Sequence, residues 1–88
     1  VSNAAVGGLL RKHRGDRTLS EVAEALGVSK AYLSDVELGR RSVSSEKLQS
    51  LSKVLSLTVL QEAKILRVAG YISRRIEVAV EKSAKLTA

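Results

Sequence analysis

The stretch Thr18-Leu19-Ser20-Glu21-Val22-Ala23-Glu24-Ala25-Leu26-Gly27-Val28-Ser29-Lys30-Ala31-Tyr32-Leu33-Ser34-Asp35-Val36-Glu37-Leu38-Gly39 decides the reading of this chain. Thr18 followed three residues later by Glu21 is a capping-box signature: hydroxyl and carboxylate each satisfy a backbone N–H that a first helical turn leaves open. Val22, Ala23 and Leu26 then face one side. Gly27 stops the helix, because a residue that accepts positive φ lets the chain turn sharply. Ser29 caps a further short helix, Lys30 to about Glu37, with Leu33 and Val36 inward, and Gly39 ends it. Two capped helices joined by Gly27-Val28-Ser29 form a helix-turn-helix, and small Ala23 and Gly27 near the crossing permit steep packing. The second helix is then held proud of the surface. In a reader of duplex DNA such a helix enters the major groove, where each base pair shows its own donor and acceptor pattern.

Outward from this unit, apolar residues recur at three and four throughout, and with no proline and no strand-like run the whole chain reads as helical. A first helix covers about Ala4 to Arg14, with Val6, Leu9 and Leu10 inward and Gly15 at its end. Gly7 and Gly8 are expected to weaken its start, each by about 1 kcal/mol relative to alanine. After Gly39 comes a polar, basic loop, Arg40 to Ser44. A fourth helix follows from about Ser45 to Leu55, with Leu48, Leu51, Val54 and Leu55 at helical spacing. Thr58 with Gln61 makes a second capping box and opens a fifth helix, through Leu60, Ala63, Leu66 and Val68 to Gly70. Ile72, Ile76, Ala79 and Val80 continue the period as a sixth, amphipathic helix that frays toward Ala88. The sequence holds no internal repeat.

With 88 residues, 44% of them hydrophobic, the chain has room for one small domain. The expected division is a helix-turn-helix domain over 1–70 and a helical extension over 71–88. Without cysteine there is no disulfide framework, thiolate zinc site or thiol nucleophile. The single histidine, His13, reads as a cap at a helix C-terminus, since no second histidine or cysteine exists to share a metal. The serines lack any neighbouring base, so no catalytic constellation, cofactor or metal is expected. No run approaches the roughly 18–20 apolar residues of a membrane span, and the expected setting is the cytoplasm, away from membranes. Fifteen Lys and Arg against nine Asp and Glu give a net charge of +6, which favours a polyanionic partner. Only two aromatics, Tyr32 and Tyr71, are available to stack on bases, so duplex is favoured over single strands. The basic excess is spread over both halves: seven cations against five acids in 1–44, eight against four in 45–88.

The segments Thr18 to Ser29 and Tyr32 to Gly39 resemble the Cro/CI (Xre-type) repressor family, over roughly residues 9–62. That resemblance implies an all-α, five-helix lambda-repressor-like DNA-binding domain, here with an additional C-terminal amphipathic helix. It also implies a homodimer on inverted-repeat operators. Ile65 to Tyr71 is similar to an extension found after this domain in some members. Carried over residue by residue, the family's base-reading positions fall on Lys30, Ala31, Ser34 and Asp35. Lys30 suits guanine O6 or N7, Asp35 suits cytosine N4, and Ala31 suits a thymine methyl. Phosphate-contacting positions fall on Ser29, Tyr32, Arg40, Arg41, Ser42, Ser44 and Ser45, where the start of the fourth helix also favours an anion. Glu37 takes the acidic place of the family's ion pair, with Arg11 or Arg14 as its partner. Leu19 stands where members often carry a DNA-contacting glutamine, and Leu38 where they carry a polar residue before the glycine corner.

The expected function is therefore sequence-specific binding of double-stranded DNA by a transcriptional regulator, a repressor on an inverted repeat, with no enzymatic activity. An apolar stripe of Ile72, Ile76, Ala79 and Val80 needs cover, and a second copy of the chain is the expected occupant. The alternative is an antitoxin-type protein, whose C-terminal helix binds and neutralises a second protein while the helix-turn-helix autoregulates.

Overall fold

Serine and threonine set the starts of the helices. The computed structural model describes residues 2–87, and side chains as far as residue 85. It contains α1 (Asn3–Arg14), α2 (Leu19–Leu26), α3 (Lys30–Glu37), α4 (Ser45–Val54), α5 (Val59–Val68) and α6 (Arg74–Thr87), with no strand among the described residues. The hydroxyls of Ser2, Thr18, Ser29, Ser44, Thr58 and Ser73 accept from the backbone N–H three residues on, at 3.0–3.2 Å. Each bond satisfies a donor the helix cannot satisfy itself. Thr58 and Gln61 close a full capping box. At Thr18 only the hydroxyl half forms, so the reciprocal Glu21 bond expected from the spacing is not made.

Helix ends follow an equally regular rule. After α2, Val28 N–H reaches back to the Ala23 carbonyl and Gly27 N–H to that of Glu24, a Schellman closure with Gly27 at φ 79°. The same pair of bonds closes α3 around Gly39, α4 around Ser56 and α5 around Gly70. Ser56 is the exception in kind: it holds φ 55° with a side chain, where the other three positions are glycine. The sequence carries no glycine between α4 and α5 to announce that turn.

Leu10, Leu33, Leu48, Leu51, Ile65, Val22 and Val36 are fully buried and draw α1 to α5 around one core. Gly7 lies inside the crossing of α1 and α3. A Cβ there would come within 2.4 Å of the Val36 carbonyl oxygen and 2.5 Å of that of Glu37, so glycine is what lets the helices touch. Gly8, one residue on, faces open space. The expectation that both glycines merely weaken α1 therefore fails at Gly7, whose helix-propensity cost secures close packing. α6 lies along α5. It begins at Arg74, so Ile72 precedes the helix rather than belonging to it. Glu77 is the buried charge at this junction: its Oε1 accepts from Arg74 Nη1 at 3.0 Å and lies 2.6 Å from Arg67 Nε of α5. The Arg67 N–H is not aligned with that oxygen, so charge rather than a hydrogen bond holds the second contact. No helix among the described residues is long and apolar enough to cross a membrane.

Candidate nucleic-acid interface

The site grows from the outer face of α3. Leu33 and Val36 anchor the helix in the core, which leaves Lys30, Ala31, Ser34 and Asp35, at i, i+1, i+4 and i+5, on the opposite side. Lys30 and Ala31 are exposed and Ser34 and Asp35 half-buried. Lys30 makes no ion pair among the described residues. Asp35 leans toward Arg40, with Oδ1 3.9 Å from Nη1, and both groups are well exposed, so the contact is weak and easily exchanged for another partner.

Beside α3 runs the loop from Arg40 to Ser44. The Arg41 guanidinium stacks over the Tyr32 ring, 4.8 Å from its centre, which orients a flexible cation at the edge of the helix. Arg40, Arg41 and Ser42 are exposed, and the Val43 side chain between them and α4 is buried. The backbone N–H groups of residues 41–46 donate to no acceptor among the described residues. Unpaired donors in succession, running into the positive end of α4, are what an anion such as phosphate requires. Ser29 and Ser44 serve as caps through their hydroxyl oxygens, so each hydroxyl proton stays available to a further acceptor. Ser45 instead accepts from Gln49 Nε2 at 3.2 Å.

Behind the face, Arg14 locks α1 to α3. Its Nε donates to Glu37 Oε2 at 2.8 Å, its Nη2 to Oε1 at 3.0 Å, and its Nη1 to the Arg17 carbonyl at 2.8 Å. The hydrogen bonds to Glu37 raise the Arg14 pKa further, against the opposing pull of burial. Of the two arginines that the sequence offered Glu37, Arg14 is thus the partner. Leu19 and Leu38 line one shallow cleft with Ser34, and Leu38 is 55% exposed, the most exposed leucine of the reading unit.

One contact had no sequence signal. The Tyr71 hydroxyl donates to the carbonyl of Val43, 28 residues away, and joins the end of α5 to the basic loop. Of the four residues expected to form an interface on the extension, Ile76 and Ala79 are exposed, whereas Ile72 and Val80 are half-buried.

The helix-turn-helix family HTH_3 matches residues 9–60, a span that contains α2, α3, their turn and the loop. The chain belongs to that helix-turn-helix family, of Cro/CI (Xre) type, whose members bind DNA and regulate transcription. It is 48% identical over 50 residues to the HTH-type transcriptional regulator DdrOP3 of Deinococcus deserti, covering 57% of this chain and 38% of that protein. It is 32% identical over 72 residues to the ImmF control region 10 kDa protein of Bacillus phage phi105, covering 75% of this chain and 80% of that one. A crystal structure of the clp gene regulator ClgR from C. glutamicum superposes with a TM-score of 0.65 at 41% identity, over 82% of this chain and 94% of that chain. The helix-turn-helix chain described here thus spans well under half of its Deinococcus relative and most of the phage one.

Proposed function

We propose that this protein is a transcriptional regulator, a repressor that binds an inverted-repeat operator in double-stranded DNA as a homodimer in the cytoplasm. The observation that carries this reading is the approach of the basic loop to α3, where Arg40 nears Asp35 and Arg41 stacks on Tyr32 beside the stripe of Lys30, Ala31, Ser34 and Asp35. The stripe reads base edges, and the loop, with Ser29, Tyr32, Arg40, Arg41, Ser42, Ser44 and Ser45, fixes register on the phosphates. Residues 1–70 supply the reader and residues 71–88 the contact between copies. Exposed Ile76 and Ala79 make that contact, together with Ile72 and with Val80, which lines a shallow groove with exposed Val59 of α5.

Selection from a random duplex pool tests the reading: a two-fold symmetric motif is expected, with half-sites about 34 Å or a multiple of it apart. On the selected duplex, Lys30→Ala is expected to change preference at one base position by about 1–3 kcal/mol, while Arg40→Ala weakens all sequences alike and lowers the salt slope by about one. Loss of affinity from Lys30→Ala that is uniform across sequences would refute the assigned register. Ile76→Lys, on an exposed position, is expected to shift sedimentation from dimer to monomer. An unchanged profile removes the homodimer contact from this face, and a stoichiometric second protein bound there instead would favour an antitoxin-type role.

A further inference from the structure

In the basic loop and the first turn of α4, the N–H groups of residues 41–46 meet no acceptor among the described residues. The buried Val43 side chain holds the loop's middle in place, and Ser44 caps α4 at its far end. Between these two anchors lies the peptide unit joining Val43 and Ser44. That unit is planar and trans, so its carbonyl and its N–H point to opposite sides. The Tyr71 hydroxyl donates to that carbonyl. With the oxygen claimed there, the Ser44 N–H is turned away from Tyr71, and it meets no acceptor among the described residues.

Tyr71 is itself well fixed for this task. Its N–H donates to the Leu66 carbonyl at 2.9 Å in the closure of α5, and Gly70 before it holds φ 85°. The ring is 45% exposed and is not part of the central core, so the hydroxyl adds little to burial. Tyr71, Asn3, Arg41 and Ser42 border one small cleft, so Tyr71 lies beside the two exposed polar residues of the loop.

We propose that Tyr71 is the positioning residue of the phosphate-facing loop: its hydroxyl sets the Val43–Ser44 peptide so that the Ser44 N–H is presented outward to a DNA phosphate. The inference rests on the DNA-binding reading above. It assigns to Tyr71 no contact with DNA, and it makes the first residue after the reading unit part of that unit's affinity.

The test compares the full chain with Tyr71→Phe, which removes one oxygen, and with Val54→Ala, which loosens the core at the opposite end of α4. Binding to a selected duplex and to a random-sequence duplex is measured over a salt series, alongside thermal stability and backbone amide shifts. Tyr71→Phe is expected to weaken both duplexes by about threefold to tenfold, the worth of one oriented hydrogen bond. Base preferences stay unchanged, and amide shifts centre on residues 43–45. Val54→Ala is expected to lose stability and keep its affinity. Equal affinity of Tyr71→Phe and the parent would overturn the proposal, and so would a change confined to one base position or a loss of affinity in both variants proportional to lost stability. A parent chain that binds neither duplex would instead refute the DNA-binding reading itself, and the proposal would fall with it.

Discussion

Gly7 and Gly8 are adjacent, lie on the same helix, and should respond to the same substitution with opposite sign. Replacing Gly8 by alanine adds a methyl group that meets nothing within 4 Å. The helix gains about 0.8–1 kcal/mol of propensity there. At Gly7 the same methyl would sit 2.4 and 2.5 Å from two carbonyl oxygens and 2.8 Å from the Glu37 carbonyl carbon, all of them backbone that no rotamer change can move. Restoring the 3.4 Å of ordinary contact requires α1 and α3 to part by up to about 1 Å. That displacement also stretches the Arg14–Glu37 bonds, since these join the same two helices. Overpacking of this kind costs about 1–3 kcal/mol, and the strained ion pair places Gly7→Ala at the upper end even after the propensity gain. The two variants are expected to differ by about 4 kcal/mol, or about 16 °C or more in Tm for a domain of this size. Paired thermal and urea unfolding measures the difference. Equal Tm values for Gly7→Ala and Gly8→Ala would refute the account of the crossing.

Other perturbations isolate further parts of the fold. Ser56→Gly relieves a side chain held at φ 55° and is expected to stabilise by about 0.5–1 kcal/mol, read as a higher urea midpoint with unchanged slope. Glu37→Ala leaves the Arg14 guanidinium half-enclosed without its acceptor and is expected to cost about 3 kcal/mol. Unfolding at an unaltered denaturant midpoint would show that water replaces the carboxylate without loss. Glu77→Ala removes the charge between Arg67 and Arg74, and faster amide exchange is expected in α6 than in α1 to α5.

Local chemistry made much of this architecture readable in advance. The bounds of α3, the Gly27 and Gly39 closures and the Thr58–Gln61 box follow from caps and glycines acting on their immediate neighbours. Features that depend on contact between distant segments were not readable. Gly7 looks like a flaw in α1 until α3 is laid across it, and Ser56 takes a glycine's conformation with no glycine present. The Tyr71 bond to Val43 spans 28 residues and has no periodicity to betray it. The proposed base-reading set of Lys30, Ala31, Ser34 and Asp35 came from the resemblance to the Cro/CI family, carried onto one helix residue by residue. The unpaired donors of residues 41–46 emerge only when every acceptor in the fold has been considered.

The chain has no tryptophan and no phenylalanine, and its two tyrosines grip the same loop from opposite ends: Tyr32 lies under Arg41, and Tyr71 holds Val43. Ultraviolet emission and near-ultraviolet dichroism of the unlabelled protein therefore originate wholly at the surface assigned to phosphate. Occupancy of that loop can be followed optically without a dye, a tag or an introduced chromophore, and any spectral change on adding a polyanion reports from there.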